Sequence, residues 1–364
     1  MGSPAILGFQ PRPLGLKIGM RRPTRRLVYG LVFALAVLSY ICYAHPQAFK
    51  NHIWWRIQEA HLYAMQYTRY NFKPTFFEQQ CFDGTAARIN AHNLTDTIPE
   101  TVHFIWIGNS EISFKLYLAI RAALVSTGIR SAHLHHDTPL NGDNGWFRLL
   151  QPNLTLIHFN CSDYLTEVAA YHPETWRGSH QTDAMRLHVL LAQGGVYLDS
   201  DAYILRPLNH LIEGARDVYM GHEGGNRWGL CNGVIMAKAG APFIARWLDK
   251  YVSFDNSRWN DHSVYLPKTL ATKHPDEICT LSPSAFFWPM WTKATVGWMH
   301  KPLDKEEAAA VESQIAKNGG SLFEDQLIYH AWAHPSAEYL GRLTPKIIRD
   351  EDTRFNILMR RFLE

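Results

Sequence analysis

Residues 178–208 read GSHQTDAMRLHVLLAQGGVYLDSDAYILRPL and carry the strongest fold signal in this chain. A helical pattern runs from Ser179 to Gln193, where a glycine pair stops it. The apolar strand Val196–Leu198 follows directly and leads into the triplet Asp199-Ser200-Asp201. Two carboxylates one residue apart at a strand end repel each other, so they predict an oxygen-rich site for Mn²⁺ or Mg²⁺.

The helix before this triplet carries an oppositely charged pair. Asp183 and Arg186 are three residues apart, so they share a helical face near the N-terminal end. Taken alone, the pair is explained by a local salt bridge and by the helix dipole. Because the helix runs through the glycine pair into the acidic triplet, we expect both side chains to belong to the same site as the triplet.

Strand and helix patterns alternate from about residue 97 onward. Such alternation predicts an α/β domain with a mostly parallel sheet, in which ligands bind beyond the carboxyl ends of the strands. Trp106 and the acidic triplet are both predicted to lie at that edge. The predicted strands are residues 102–107, 132–136, 154–159, 196–198, 218–220 and 231–236, and the predicted helices are residues 114–127, 179–193, 242–252 and 303–318.

The central motif resembles that of a known enzyme family. The run Thr182-Asp183-x-x-Arg186, followed by Gly194-Gly195-Val196-Tyr197-Leu198-Asp199-Ser200-Asp201, is similar to the central motif of the family-32 glycosyltransferases, the DXD sugar transferases. The stretch Ile98–Gly108 resembles the opening strand of that family. The resemblance covers residues 97–240 and implies a GT-A fold, with a Rossmann-like mixed, mostly parallel sheet flanked by helices.

The resemblance also implies a role for each motif residue. Asp201 would bind Mn²⁺ (or Mg²⁺) directly, and Asp199 would contact the donor ribose, or the metal through water. Asp183 and Arg186 would hold hydroxyl groups of the donor sugar. Trp106 would stack on the nucleotide base or line its pocket, with core packing as the alternative.

Two later segments would complete this site. Asn232 resembles part of a family segment near the donor and acceptor. The segment Tyr329–Ser336 resembles the family's late His-Trp-Ser motif, so His330 is expected to complete the metal ligands, with His334 as the alternative. These two histidines are four residues apart, a spacing that could place both on one helical face. The histidines at 133, 135 and 136 are interpreted as incidental.

The implied reaction is the transfer of a sugar, with retention, from a nucleotide-diphosphate donor to a hydroxyl of a glycan or glycolipid. Family precedent gives GDP-mannose, UDP-galactose and UDP-N-acetylglucosamine as donors, with a preference for mannosyl or galactosyl transfer of the fungal type. The alternative is a non-catalytic Golgi protein that binds glycans or acts as a scaffold, and a metal-dependent hydrolase or phosphotransferase is a third hypothesis. A glycosidase is disfavoured because Asp199 and Asp201 are too close in sequence to flank a scissile bond.

The N-terminal region predicts a membrane anchor. Residues 1–26 carry six basic and no acidic side chains, and residues 27–44 form an uncharged run about 27 Å long as a helix. The positive flank predicts a type II signal-anchor with a lumenal remainder, in the Golgi membrane or alternatively the endoplasmic reticulum. A cleaved signal peptide is the competing interpretation. We assign residues 45–96 to a stem and residues 97–364 to the catalytic domain.

The region beyond the anchor has the features of a lumenal protein. Since the basic tail holds six positive charges and the whole chain carries +3, the remainder is at −3, which argues against a nucleic-acid partner. The cysteines in this region allow two interpretations, either one or two disulfides or a set of buried free thiols. The glycosylation sequons begin at Asn93, Asn153 and Asn160, and the cysteines on this side are Cys81, Cys161, Cys231 and Cys279.

Overall fold

The computed structural model describes residues 25–44, 73–87, 94–126, 128–160, 176 and 178–363. The chain divides into two units, Met1–Tyr63 and Ala64–Glu364. Helix α1, in the first unit, spans Arg25–Ala44. Over the described residues, no helix is both long and apolar enough to cross a membrane. The anchor at residues 27–44 is therefore not confirmed and stays a prediction.

The second unit is built on β-strands that include all six predicted from the sequence. The three shortest strands were not predicted. The strands are β1 (Thr101–Trp106), β2 (Ser131–His136), β3 (Leu154–His158), β4 (Gly195–Leu198), β5 (Ala202–Ile204), β6 (Val218–Glu223), β7 (Gly229–Ala237), β8 (Cys279–Leu281) and β9 (Ile328–His330).

Helices cover the sheet and include the four that the sequence predicted. Asp261–Tyr265 forms a single π-helical turn, and short 3₁₀ turns occupy Gln151–Asn153, Lys250–Ser253 and Arg360–Phe362. The α-helices are α2 (Phe76–Phe82), α3 (Phe114–Leu124), α4 (Gly145–Leu150), α5 (Gly178–Gln193), α6 (Asn209–Ile212), α7 (Pro242–Asp249), α8 (Leu266–Lys273), α9 (Pro283–Phe286), α10 (Lys293–His300), α11 (Lys305–Lys317), α12 (Ala337–Gly341), α13 (Pro345–Asp350) and α14 (Arg354–Met359).

The main sheet is mixed and mostly parallel, as predicted. Within the described residues it has seven strands in the order β3-β2-β1-β4-β7-β6-β8. The run β3-β2-β1-β4 is parallel throughout, whereas β7 lies antiparallel to both β4 and β6. The carboxyl end of β4 therefore adjoins the middle of β7, with Leu198 opposite Val234. A separate antiparallel pair, β5 with β9, extends beyond that edge.

Strand alternation divides the core between the two faces of the sheet. Val196 and Leu198 of β4 belong to one apolar cluster, which includes residues of α3. Tyr197 points the other way and joins a second cluster with Leu187 of α5 and Trp247 of α7. Helix α5, which carries the predicted site residues, thus packs on the same face as Tyr197.

The glycine pair between α5 and β4 is required by its backbone and by close packing. Gly194 and Gly195 have φ values of +66° and +103°, in the region that favours glycine. A Cβ on Gly195 would lie 2.6 Å from the carbonyl oxygen of Thr101 and 2.9 Å from Nε2 of His103. The pair therefore lets the chain turn tightly from the helix into the strand that delivers the acidic triplet.

One disulfide joins α2 to the edge strand β8. Cys81 and Cys279 are bonded, with their Cα atoms 5.5 Å apart and a sequence separation of 198. Cys231 is free and buried, and Cys161 lies outside the described residues. The bond attaches a helix from the segment assigned to the stem to the sheet, while the domain boundary at residue 97 stays a prediction.

Candidate metal and sugar-donor site

The acidic triplet meets a histidine from a distant part of the chain. Strand β5 follows Asp201 and pairs antiparallel with β9, so that His330 lies opposite Ala202. Nε2 of His330 is 3.5 Å from Oδ2 of Asp199 and 3.8 Å from Oδ1 of Asp201. One ligand atom from each of the three residues falls within 4.8 Å of the others.

His334 does not join this cluster. Residues 328–330 form a strand, and the chain then turns, so His334 lies on an exposed turn. The suggestion that both histidines share a helical face is therefore wrong, because a four-residue spacing aligns side chains only within a helix. The pairing of β5 with β9 brings His330 into the cluster, and His330 is the histidine that the sequence analysis preferred.

The residues of the cluster fit a divalent cation. His330 is buried, and within the described part of the chain neither of its ring nitrogens has a hydrogen-bond partner. A Cβ on Gly233 would lie 3.0 Å from both Oδ2 of Asp199 and Nε2 of His330, so the glycine keeps the space between these ligand atoms open. Two carboxylates and an imidazole form a donor set suited to Mn²⁺, and the carboxylates also suit Mg²⁺.

Arg186 links the helix to the acidic triplet. Its Nη2 pairs with Oδ1 of Asp183 at 2.9 Å, and its Nη1 pairs with Oδ1 of Asp199 at 3.1 Å. Nη1 also donates to the carbonyl oxygen of Asn232 at 2.8 Å, and the guanidinium lies 4.4 Å from the centre of the Tyr197 ring. Arg186 is 3% exposed, so these contacts use its charge inside the protein rather than at the surface.

The two carboxylates that pair with Arg186, those of Asp183 and Asp199, have pKa values shifted in opposite directions. Burial raises the pKa of Asp183, although Arg186 opposes the shift and Asn232 donates to its Oδ1 at 2.7 Å. Burial would also raise the pKa of Asp199, but Arg186 and then His330 hold it well below its usual range. Asp199 therefore keeps a negative charge at the point where the two strands and the helix meet.

Comparison with known proteins identifies the family. The family described as "Glycosyltransferase sugar-binding region containing DXD motif" matches residues 125–217. Glucan organizing enzyme 1 of Cryptococcus neoformans var. grubii is 30% identical over 280 residues, which cover 73% of this chain and 71% of that protein. The chain belongs to the DXD glycosyltransferase family. Its finer placement in family 32 stays a prediction.

Solved glycosyltransferase structures are distantly similar to this family member. The PaToxG glycosyltransferase is 17% identical, with a TM-score of 0.39, over 84% of this chain and 97% of its own. The galactosyltransferase LgtC, in complex with donor and acceptor sugar analogs, is 14% identical, with a TM-score of 0.32, over 67% and 96% of the two chains.

Asn232 and Tyr197 tie the strands of this DXD glycosyltransferase to its acidic triplet. Asp199 donates its backbone N–H to the carbonyl oxygen of Gly233, which places Asn232 beside the triplet. The Tyr197 hydroxyl donates to Oδ1 of Asp199 at 2.8 Å. The sequence analysis gave Tyr197 no role, although its position two residues before Asp199 puts both on one face of the strand.

Two further residues lie near the same edge of the glycosyltransferase sheet. Trp106 ends β1 and is partly buried against the core, and within the described residues its Nε1 has no hydrogen-bond partner. The expected stacking of Trp106 on the nucleotide base of the donor stays a prediction. Glu223 ends β6, accepts a hydrogen bond from Nε1 of Trp291 at 2.7 Å, and has its pKa raised to about 7 by burial.

Proposed function

We propose that this protein transfers a hexosyl group from a nucleotide-diphosphate sugar to a hydroxyl of a glycan or glycolipid, with retention at the anomeric carbon and with a divalent cation bound. One observation carries the proposal: Asp199, Asp201 and His330 converge from two distant parts of the chain, and Arg186 connects them to Asp183. A metal-ligand set beside a buried, hydrogen-bonded polar group is what binding a sugar diphosphate requires.

In this proposal the three clustered residues hold Mn²⁺ (or Mg²⁺). Asp199 and Asp201 provide carboxylate oxygens, and His330 provides a ring nitrogen. The bound ion would neutralise negative charge on the diphosphate leaving group. The protein's own contribution is to keep these three ligands close together, with Asp201 and His330 buried and Asp199 partly exposed. Gly233 permits this by leaving the space between Asp199 and His330 open.

Asp183 and Arg186 are assigned different tasks. Arg186 is nearly fully buried and engaged with two carboxylates and a backbone carbonyl, so we assign it the positioning of those carboxylates rather than direct contact with the sugar. Within the part of the chain that the structure describes, the contacts of Asp183 with Arg186 and Asn232 both use Oδ1. Its Oδ2 is therefore the atom we assign to a hydroxyl of the donor sugar, where it would orient the anomeric carbon.

Retention is assigned to a front-face reaction. The acceptor hydroxyl would form the new bond on the face from which the diphosphate leaves, and its proton would pass to a leaving phosphate oxygen. A front-face reaction needs no covalent nucleophile. In this scheme Asp199 and Asp201 act as metal ligands only.

The name of one relative indicates which acceptor to test first. The similar protein from Cryptococcus neoformans is named for the organisation of glucan. A glucan oligosaccharide is therefore the first acceptor to test, ahead of a glycolipid.

A donor panel tests the proposed reaction. GDP-mannose, UDP-galactose, UDP-glucose and UDP-N-acetylglucosamine are each supplied with glucan oligosaccharides and Mn²⁺. We expect transfer from one donor, a loss of about 100-fold or more in kcat/KM with Asp201→Asn, and no change with Asp143→Asn, whose side chain is 93% exposed. Absence of both transfer and donor hydrolysis would favour the non-catalytic alternative, and phosphate-bond hydrolysis without an acceptor would favour the hydrolase.

The cellular location is part of the proposal. We place the protein in the Golgi membrane, anchored by residues 27–44 as a single-pass type II protein with the catalytic domain in the lumen. Asn153 of the sequon is exposed, so a lumenal domain would be open to glycosylation there. We expect a glycosidase-sensitive mass shift that decreases in Asn153→Gln. A protein expressed from the full-length chain that carries no glycan on any sequon would contradict the lumenal orientation.

A further inference from the structure

Three histidines meet on one face of the sheet, away from the cluster of Asp199, Asp201 and His330, which we call the DXD site. His103 of β1 pairs directly with His133 of β2, and His135 is two residues further along, so all three point to the same side. One ring nitrogen from each lies within 4.8 Å of the others. His103 and His135 are fully buried and His133 is half-buried, so solvent reaches the group from one side.

Hydrogen bonds outside the group fix the orientation of two of these rings. Nε2 of His103 lies 2.9 Å from the carbonyl oxygen of Gly194, which can only accept, so Nε2 carries the hydrogen. Nδ1 of His103 is then left with a lone pair, 3.0 Å from Nε2 of His135. Metal-bound histidines characteristically donate their other ring N–H to a carbonyl or side chain in this way.

His133 shows the same arrangement. Its ring is hydrogen-bonded to the side chain of Gln193, and its Nδ1 is buried with no hydrogen-bond partner in the described part of the chain. Nδ1 of His133, like Nδ1 of His103, therefore carries the lone pair through which an imidazole coordinates a metal.

We propose that His103, His133 and His135 bind one zinc ion, with water as the fourth ligand on the side where His133 meets solvent. Imidazole ligands without carboxylates suit Zn²⁺, whereas the carboxylates of the DXD site suit Mn²⁺ or Mg²⁺. The two sites would thus select different ions in one domain. This inference goes beyond the proposed function, since it requires no sugar and no nucleotide.

Such an ion would hold neighbouring segments of the sheet together. It would join β1 to β2, and through the bond from His103 to Gly194 it would hold the tight turn that precedes β4. Gly195 lies so near His103 that a Cβ would come within 2.9 Å of Nε2. Zinc binding would therefore stabilise β4, the strand that leads into Asp199, without contact with the reacting groups.

Zinc binding to the full-length protein tests the proposal. After treatment with a chelator and dialysis, ZnCl₂ is titrated by calorimetry, and the melting temperature is measured with and without zinc. We expect about one high-affinity site per chain, a raised melting temperature, and binding weakened at least ~10-fold in His133→Gln. His158→Gln, at an exposed histidine of β3, serves as the matched control and should bind zinc like the native protein.

Asp201→Asn distinguishes the two sites. Zinc affinity unchanged in Asp201→Asn but lost in His133→Gln supports the histidine site. Zinc affinity lost in Asp201→Asn but kept in His133→Gln would mean that zinc occupies the DXD site, and would overturn the proposal. Absence of zinc binding in the native protein would also overturn it, and would leave the three rings as a hydrogen-bonded core group. Since none of these readouts measures sugar transfer, failure of the proposed function would leave the result intact.

Discussion

Replacing Gly233 by alanine tests the geometry of the DXD site without removing a ligand. Gly233 lies within β7, and its backbone is outside the left-handed region, so alanine fits the backbone without strain. The added Cβ would lie 3.0 Å from Oδ2 of Asp199 and 3.0 Å from Nε2 of His330. The change therefore acts on the space between two assigned ligand atoms and on little else.

The expected magnitude follows from these distances. Contacts of 3.0–3.4 Å to a Cβ require the neighbouring atom to move by a few tenths of an ångström. Metal sites hold their ligand distances to within about 0.2 Å, so a shift of this size in two ligands exceeds the tolerance. We expect Mn²⁺ affinity to fall by about 10–100-fold, comparable to the loss of a supporting contact in known metal sites.

Calorimetric titration of Mn²⁺ measures the effect directly, and the Mn²⁺ concentration needed for half-maximal transfer measures it independently. Gly297→Ala is the matched control, because a Cβ at that position in α10 meets nothing within 4 Å. Thermal unfolding without metal checks that Gly233→Ala still folds. If the folded variant binds Mn²⁺ as tightly as the native protein, the assignment of Asp199 and His330 as ligands of one ion is refuted.

Three further predictions concern charge, the disulfide and pH. Arg186→Met should lower the free energy of unfolding in urea by about 3 kcal/mol, because it leaves the buried carboxylate of Asp183 and the partly buried one of Asp199 without their cation; an unchanged urea midpoint would contradict this. Replacing Cys81 and Cys279 by serine should cost about 2–5 kcal/mol, and equal stability of the double variant and the oxidised native protein would exclude a stabilising bond. Burial lowers the pKa of His300 to about 4 from its ordinary 6.5. As the pH falls, the unfolded chain therefore takes up a proton at His300 before the folded protein does. The stability that is present above pH 6.5 is lost as the pH falls toward 4. Between pH 7.5 and pH 4, the free energy of unfolding of His300→Phe should therefore fall by about 3 kcal/mol less than that of the native protein. An equal fall in both proteins, measured by urea unfolding, would contradict the assignment.

The local pattern of the chain was sufficient to predict much of the site. The helix from residue 178 to 193 puts Asp183 and Arg186 on one face because helical neighbours are three and four residues apart. The strand that follows sends Asp199 to the same side as Tyr197 because side chains alternate in a strand. Both relations depend only on residues close in sequence, so the periodicity alone contains them.

The tertiary structure decided every relation between distant segments. His330 rather than His334 meets the acidic triplet because β9 pairs with β5 in a register that no local pattern encodes. The space kept open by Gly233 likewise depends on β7 lying antiparallel to β4. Sequence periodicity specifies which side of an element a residue occupies, but contacts between elements depend on strand order, direction and register, which the packing of the whole core selects.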